Sequence, residues 1–168
     1  MNKVISIQKS VQIAKKLRSH GKTIVLAGGC FDIIHAGHVI FLNKAKQRGD
    51  VLFVLLESDE KVKRIKGDNR PINNQQDRAI VLSAISYVDF VVMLTNSKTD
   101  SEYDGIITKI HPSIIATTAN DPNVGHKKRQ AKLINGEVAY VSKRVSDQST
   151  SRIAGLTKVE ALWKKFIG

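Results

Sequence analysis

The sequence predicts one doubly wound α/β domain built on a five-stranded parallel sheet, and three observations carry that prediction. Apolar runs of strand length alternate with segments whose apolar residues recur at helical spacing. The runs are nearly unbroken, as in strands covered on both faces. The chain has 168 residues, enough for one domain, with 42% hydrophobic and 25% charged residues. Strands alternating with helices close into a parallel sheet flanked by helices on both sides.

The elements follow in order. Ile7, Val11, Ala14 and Leu17 share one helical face, and Gly21 is a natural stop, so residues 1–21 form an N-terminal helix. An α/β core is expected over 22–155. Its first strand is Thr23 to Ala27, ending in Gly28-Gly29; a helix then starts near Ala36, carries Val39, Leu42 and Ala45, and closes at Gly49. Val51 to Leu56 is the second strand. Asn74 is placed to cap a helix bearing Ala79, Ile80, Leu82 and Ala84. Val88 to Leu94, Ile114 to Ala116 and Glu137 to Val141 supply the remaining strands, separated by helices over about 101–110 and 124–134. A last helix, with Trp163 and Phe166, occupies 156–168. No repeat, low-complexity tract or linker divides the chain. In such a sheet the site lies beyond the carboxyl ends of the strands, where the strand order reverses.

Composition narrows the function. Globular proportions exclude wholesale disorder, and no apolar run reaches the roughly 18 to 20 residues of a membrane span. The first ten residues lack the apolar core and small-residue cleavage site of a secretory signal. One cysteine, Cys30, builds no disulfide framework, which suits a cytoplasmic protein. The net charge of +12 points to an anionic partner without choosing among nucleic acid, nucleotide, sugar phosphate and an acidic membrane surface. His126 to Arg129 is the densest basic run; it reads as a solvated helix face, and without interleaved aromatics single-stranded nucleic acid is a poor partner.

The first strand runs into GGCFDIIHAGH. Gly28 and Gly29 allow backbone to approach a ligand closely. His35 and His38 fall on the first turn of the next helix, where free amides and the helix dipole favour phosphate. Two imidazoles three residues apart there can donate to one anion. A pair of histidines could also bind a transition metal, although no third ligand lies close in sequence.

GGCFDIIHAGH resembles the GxFDxxHxGH signature of the cytidylyltransferase-like nucleotidyltransferases. SDEKVKRIKGDNRPINNQQDRAIVLSAISYVDFVV looks like the bacterial heptose-phosphate adenylyltransferases, and Arg144 with Gln148-Ser149-Thr150-Ser151 is similar to the motif that closes their nucleotide site. The resemblance covers about residues 22–155. It implies a Rossmann-like nucleotidyltransferase fold and attack of a substrate phosphate on the α-phosphorus of a nucleoside triphosphate, with pyrophosphate leaving. It implies His35, His38 and Lys66 as catalytic. Gly28, Gly29, Cys30, Phe31, Asp32, Arg78, Arg144, Ser149, Thr150 and Ser151 would line the nucleotide, Asp32 by fixing the turn. Mg²⁺ is expected with the triphosphate, and a homodimer is expected because similar enzymes commonly form one.

Two departures stand out. Gln148 and Ser151 replace the family's Ile and Thr, with hydroxyls retained. The loop after the fourth strand reads Thr117-Thr118-Ala119-Asn120-Asp121-Pro122-Asn123 instead of a Lys-Gly-Gly-Asp-Tyr-like sequence. Thr117, Thr118, Asn120 and Asp121 would shape the base or acceptor pocket, and their change opens the choice of substrate. The expected reaction is transfer of AMP from ATP to a phosphorylated sugar such as heptose 1-phosphate. The alternatives are CTP with glycerol 3-phosphate or a similar alcohol phosphate, FMN adenylylation, or a non-catalytic nucleotide- or RNA-binding module.

Overall fold

A computed structural model describes residues 2–97 and 99–143 of the protein. Within them the apolar runs become strands of one sheet: β1 (Val4–Ile5), β2 (Ile24–Gly29), β3 (Val51–Leu56), β4 (Phe90–Met93), β5 (Ile114–Ala119) and β6 (Glu137–Lys143). Every neighbouring pair is parallel, in the order β1-β4-β3-β2-β5-β6. The helices are α1 (Ile7–Ser19), α2 (Ala36–Lys46), α3 (Asp59–Lys66), α4 (Gln75–Ala84), α5 (Asp100–Ile110) and α6 (Val124–Leu133). The sheet thus has six strands where five were expected. The additional one, β1, has only two residues and runs straight into the Ser6 cap of α1, too short for a pattern of its own.

Side-chain alternation along the strands divides the core in two. Val25, Ala27, Val54 and Leu56 meet Phe41, Leu42, Ala79 and Leu82 of α2 and α4. Ile24, Leu26, Phe53, Leu55 and Ile115 face the other way, against Ala14, Ile107, Ile110 and Ala131 of α1, α5 and α6. Successive side chains on a strand point to opposite faces, so both faces of these apolar runs are buried. Four helices begin on side-chain caps (Ser6, Ser58, Asn74 and Thr99), each accepting from an amide of the first turn.

β2 pairs with β3 along its whole length, from Ile24 beside Val51 to Gly29 beside Leu56. Its pairing with β5 is confined to Val25 with Ile114 and Leu26 with Ile115. Beyond Leu26 the strands part, and a crevice opens at the carboxyl end where the order reverses. This is where a parallel sheet of this kind holds its ligand.

The turn into β3 admits no side chain at Gly49. A Cβ there would fall 2.8 Å from Val25 Cγ2, 2.9 Å from Thr23 Cγ2 and 3.0 Å from the Thr23 carbonyl oxygen. Gly49→Ala should therefore destabilise by about 1–3 kcal/mol, the usual cost of forcing extra volume into close-packed surroundings. Thermal unfolding checks this: an unchanged Tm would contradict so tight a turn.

Candidate active site

β2 delivers its last residues to the crevice with little room beside them. A Cβ on Gly28 would lie 2.8 Å from the hydroxyl of Tyr103 on α5, and one on Gly29 would lie 3.0 Å from the Phe31 ring. Phe31 is buried and held at φ +45°, in the left-handed region that side chains rarely adopt. That turn redirects the chain toward α2, and the Phe31 ring rests 5.1 Å, centroid to centroid, from the ring of His38.

His35 is the N-cap of α2. Its carbonyl accepts from the amides of His38 (2.9 Å) and Val39 (3.3 Å), but its side chain makes no capping bond, and no acidic residue lies in the first turn. The leading amides of α2 therefore face the crevice with neither a side-chain cap nor a counter-charge. The rings of His35 and His38 stack at a centroid separation of 3.9 Å. Nδ1 of each is buried without a hydrogen-bond partner among the described residues. Burial pushes the His35 imidazole below its ordinary pKa. It pushes His38 down to about 4, helped by the neighbouring His35, while the Ile33 backbone opposes the shift. Both rings are neutral at pH 7, so they can serve an anion as N–H donors rather than as cations.

The sign of this shift gives a measurable pH dependence. Unfolded histidine takes up a proton near pH 6.5 while folded His38 resists until about 4. The stability contributed by keeping it neutral is complete above pH 6.5 and lost as the pH falls toward 4. The loss reaches at most roughly 3 kcal/mol. Denaturant unfolding between pH 7.5 and 4.5 should show this limb, and His38→Gln should lose most of it, keeping the part that His35 contributes. An identical profile in both proteins would contradict the assignment.

Two buried charged residues hold the turn. Asp32 accepts from Arg70 Nε (2.5 Å), from the Ile72 amide and from the Asn73 amide (3.0 Å), and its backbone carbonyl accepts from Asn73 Nδ2 (2.8 Å). Burial alone would raise its carboxyl, but those amides and the Arg70 guanidinium hold it below the usual carboxylate range. These bonds tie Asp32 to the 70–73 segment. Arg78 is fully buried; it donates to the carbonyls of Cys30 and Glu57 (2.8 Å for the latter) and to the Asp59 carboxylate at 2.7 Å. It ties the exits of β2 and β3 together, so its geometry is that of a brace beneath the site.

Lys66 ends α3 on the exposed surface, and its charge reaches Cys30. Burial, then Glu57, pushes the Cys30 thiol up, so it stays protonated at neutral pH, as suits a packing residue. Across the crevice the 117–123 segment forms a bonded corner. Thr117 Oγ1 donates to Asp121 (2.6 Å), Lys127 Nζ donates to Asp121 (2.6 Å) and to Thr117 (3.0 Å), and the Asn123 amide donates to Asp121 (2.8 Å). Asn120 turns the chain at φ +63°, and Thr118 pairs with Ser142 across a register shift. The expectation of a solvated face over 126–129 is corrected here for Lys127, which is largely buried on Asp121. Arg129 stays exposed while bonding Asp104 at 2.9 Å across the α5–α6 seam.

Arg144, Ser149, Thr150 and Ser151 lie outside the described residues, as does the helix expected over 156–168. Sequence reasoning missed Arg70, Tyr103 and Glu57. Of these only Glu57 carried a signal, a lone charge closing the apolar run of β3. No group of three or more His, Cys, Asp or Glu among the described residues could hold a metal ion. No described helix is long and apolar enough to cross a membrane.

Residues 26–154 match the family model described as cytidylyltransferase-like. The chain is 51% identical over 110 residues to the bifunctional protein HldE of Wolinella succinogenes, covering 66% of this chain and 22% of that protein. It is 45% identical over 115 residues to bifunctional protein HldE of Campylobacter curvus, covering 68% and 24%. The chain thus spans less than a quarter of these curated relatives. Among solved structures, a lipopolysaccharide core biosynthesis protein from Thermoplasma volcanium superposes with a TM-score of 0.62 at 25% identity, over 73% of this chain and 98% of that one. Pantoate-beta-alanine ligase from Francisella tularensis shares the fold, with a TM-score of 0.56 at 16% identity, over 83% and 66% of the two chains.

Proposed function

The chain belongs to the cytidylyltransferase-like family, and from that premise we propose that it transfers a nucleoside monophosphate, AMP from ATP, to a phosphorylated sugar and releases pyrophosphate. The observation that carries this reading is the stacked His35–His38 pair on the uncapped start of α2. An acceptor phosphate oxygen attacks the α-phosphorus in line. A new P–O bond forms as the bond to the pyrophosphate oxygen breaks, and the electron pair leaves with pyrophosphate. Charge grows on the α-phosphate oxygens and on the leaving group. Neutral imidazole donors and the α2 amides, fixed before the substrate arrives, stabilise that charge without reorganising. Lys66, on a solvent-facing helix end, is suited to closing over the phosphates. Asp32 and Arg78 are positioning residues, holding the turn that aims the histidines.

Magnesium is assigned to the substrate, arriving on the phosphates of the triphosphate, whose charge it shields. Arg144, Ser149, Thr150 and Ser151 are proposed as the closing edge of the nucleotide site, and the bonded corner at Thr117, Thr118, Asn120 and Asp121 as a wall of the base or acceptor pocket. A cytoplasmic homodimer remains part of this reading.

The 117–123 corner, whose sequence departs from the Lys-Gly-Gly-Asp-Tyr-like loop and whose Thr117 and Asp121 bond Lys127, leaves room for a second reading, CTP with glycerol 3-phosphate or a related alcohol phosphate. Pyrophosphate release measured with ATP and with CTP, each over sugar phosphates and alcohol phosphates, tests both. Turnover of ATP with a sugar phosphate is expected. Turnover of CTP alone would replace the donor, and release from neither triphosphate with any acceptor would remove the transferase reading.

A further inference from the structure

Glu57 is a half-buried acid, with one oxygen fully buried, that the mechanism above does not use. It follows the last residue of β3, and its backbone is fixed on both sides: its amide donates to the Gly29 carbonyl (3.2 Å) and its carbonyl accepts from Arg78 (2.8 Å). The side chain is not fixed in that way. Oε2 is buried and has no hydrogen-bond partner among the described residues. Two of the nearby cations bond elsewhere, Arg78 to Asp59 and Arg64 to Asn96 (3.1 Å) and Ser97 (2.9 Å), while Lys61 acts on Glu57 through its charge. A buried, unpaired carboxylate is costly to a fold. An apolar residue would have continued the run Val51 to Leu56 at no such cost.

The strand alternation carries one residue past β3, because the Glu57 amide still bonds Gly29 of β2. Leu26 and Leu55 lie in the core cluster on the α1, α5 and α6 side, so Gly28 in β2 and Glu57 just beyond β3 face that side too. Tyr103 packs against the same cluster, with its hydroxyl beside Gly28. The charge of Glu57 is felt by both Tyr103 and Cys30. Cys30, Glu57 and Tyr103 therefore converge on the α5 side of the crevice. Gly29 and Phe31, the latter packed on His38, face the α2 side. One side of the crevice presents donors to phosphate; the other presents a carboxylate, which repels phosphate and accepts hydrogen bonds.

The complement of a buried acceptor is a ligand donor, either a hydroxyl or an ammonium. Lys61, Arg78 and Arg64 all act electrostatically on Glu57, and a further cation would meet their repulsion. A neutral hydroxyl would not. We propose that Glu57 is the specificity-determining residue for the acceptor, taking a hydrogen bond through Oε2 from a hydroxyl of a polyhydroxylated phosphate whose phosphate sits on the His35–His38 side. The assignment rests on the nucleotidyl-transfer reading and deepens it.

The test compares wild type, Glu57→Gln and Glu57→Ala. Initial rates are measured with mannose 1-phosphate, ribose 5-phosphate, glycerol 3-phosphate, ethyl phosphate and phosphoethanolamine as acceptors. Wild type should prefer the hydroxyl-rich acceptors. Glu57→Ala should raise their KM about 10- to 100-fold, the worth of a hydrogen bond to a charged partner. The triphosphate KM should stay within about twofold, as expected for a group that does not touch the nucleotide. Glu57→Gln, which keeps the shape and one acceptor oxygen, should fall between. Wild type and Glu57→Ala should differ little on ethyl phosphate, which has no hydroxyl to lose. An unchanged acceptor KM in Glu57→Ala, a triphosphate KM rising in parallel, or a preference for phosphoethanolamine would overturn the proposal. If wild type turns over no acceptor, the transfer reading fails by itself. Calorimetric binding of the three hydroxylated phosphates then decides the role of Glu57: weaker binding in Glu57→Ala supports it, and equal binding or none to wild type overturns it.

Discussion

Replacing His38 with alanine should lower kcat for pyrophosphate release about 10²–10³-fold while the protein stays folded. Removal of one preorganised donor to a developing oxyanion has that effect in general, roughly 2.7–4 kcal/mol. His38 is placed for it: its ring is stacked on His35, supported from below by Phe31, and neutral because burial holds its pKa near 4. His35→Ala should lose a comparable amount. The two rings serve one phosphate, so the double variant should fall well short of the product of the single losses. Single-turnover rates with circular dichroism on the same samples check this. Full activity in both variants would remove the histidines from the mechanism.

Asp32→Asn should produce the largest loss of stability of any conservative change near the site, about 3–5 kcal/mol. Asp32 and Arg70 are 1% and 10% exposed at the side chain and lie 2.5 Å apart. Removing one charge of a buried pair leaves the other uncompensated. The carboxylate also receives the amides of Ile72 and Asn73, one of which an amide side chain would meet with its own donor. For a chain of this size the Tm should fall by roughly 10 °C. Combining Asp32→Asn with Arg70→Leu should recover part of the loss, since the stranded guanidinium is then gone. If Asp32→Asn unfolded at the wild-type temperature, the pair would hold nothing in place. Activity should fall as well, because the carbonyl of Asp32 anchors Asn73 next to the Asn74 cap of α4.

How much of this was legible in the sequence depended on distance along the chain. The Gly-Gly turn, the His-Ala-Gly-His step and the strands β2 and β3 are local patterns, and they stand where the residues put them. α3 went unread because Val62 is its one buried residue, leaving almost no apolar face, although Ser58 caps it. The braces are invisible locally. Arg78 reaches back 48 residues to Cys30, and Arg70 reaches back 38 to Asp32. A basic residue on a predicted helix looks solvated until the fold supplies its partner, as Lys127 did with Asp121. Glu57 was overlooked for the opposite reason: its meaning lies in the partner it lacks.

The sheet edge formed by β1 has a consequence for the order in which the molecule assembles. Val4 lies beside Val91, and Ile5 beside Val92, while every residue of α1 and β2 lies in between. Closing so long a loop for two residue pairs is entropically expensive, and little local structure repays it in advance. On a ribosome, the opening residues must wait until β4 has emerged before they have anything to pair with. The core strands β2 and β3, adjacent in both sequence and space, can pair long before that. β1 should therefore dock last during folding and be the first strand released when the protein opens, with amide protons at Val4 and Ile5 exchanging ahead of those in β2 and β3.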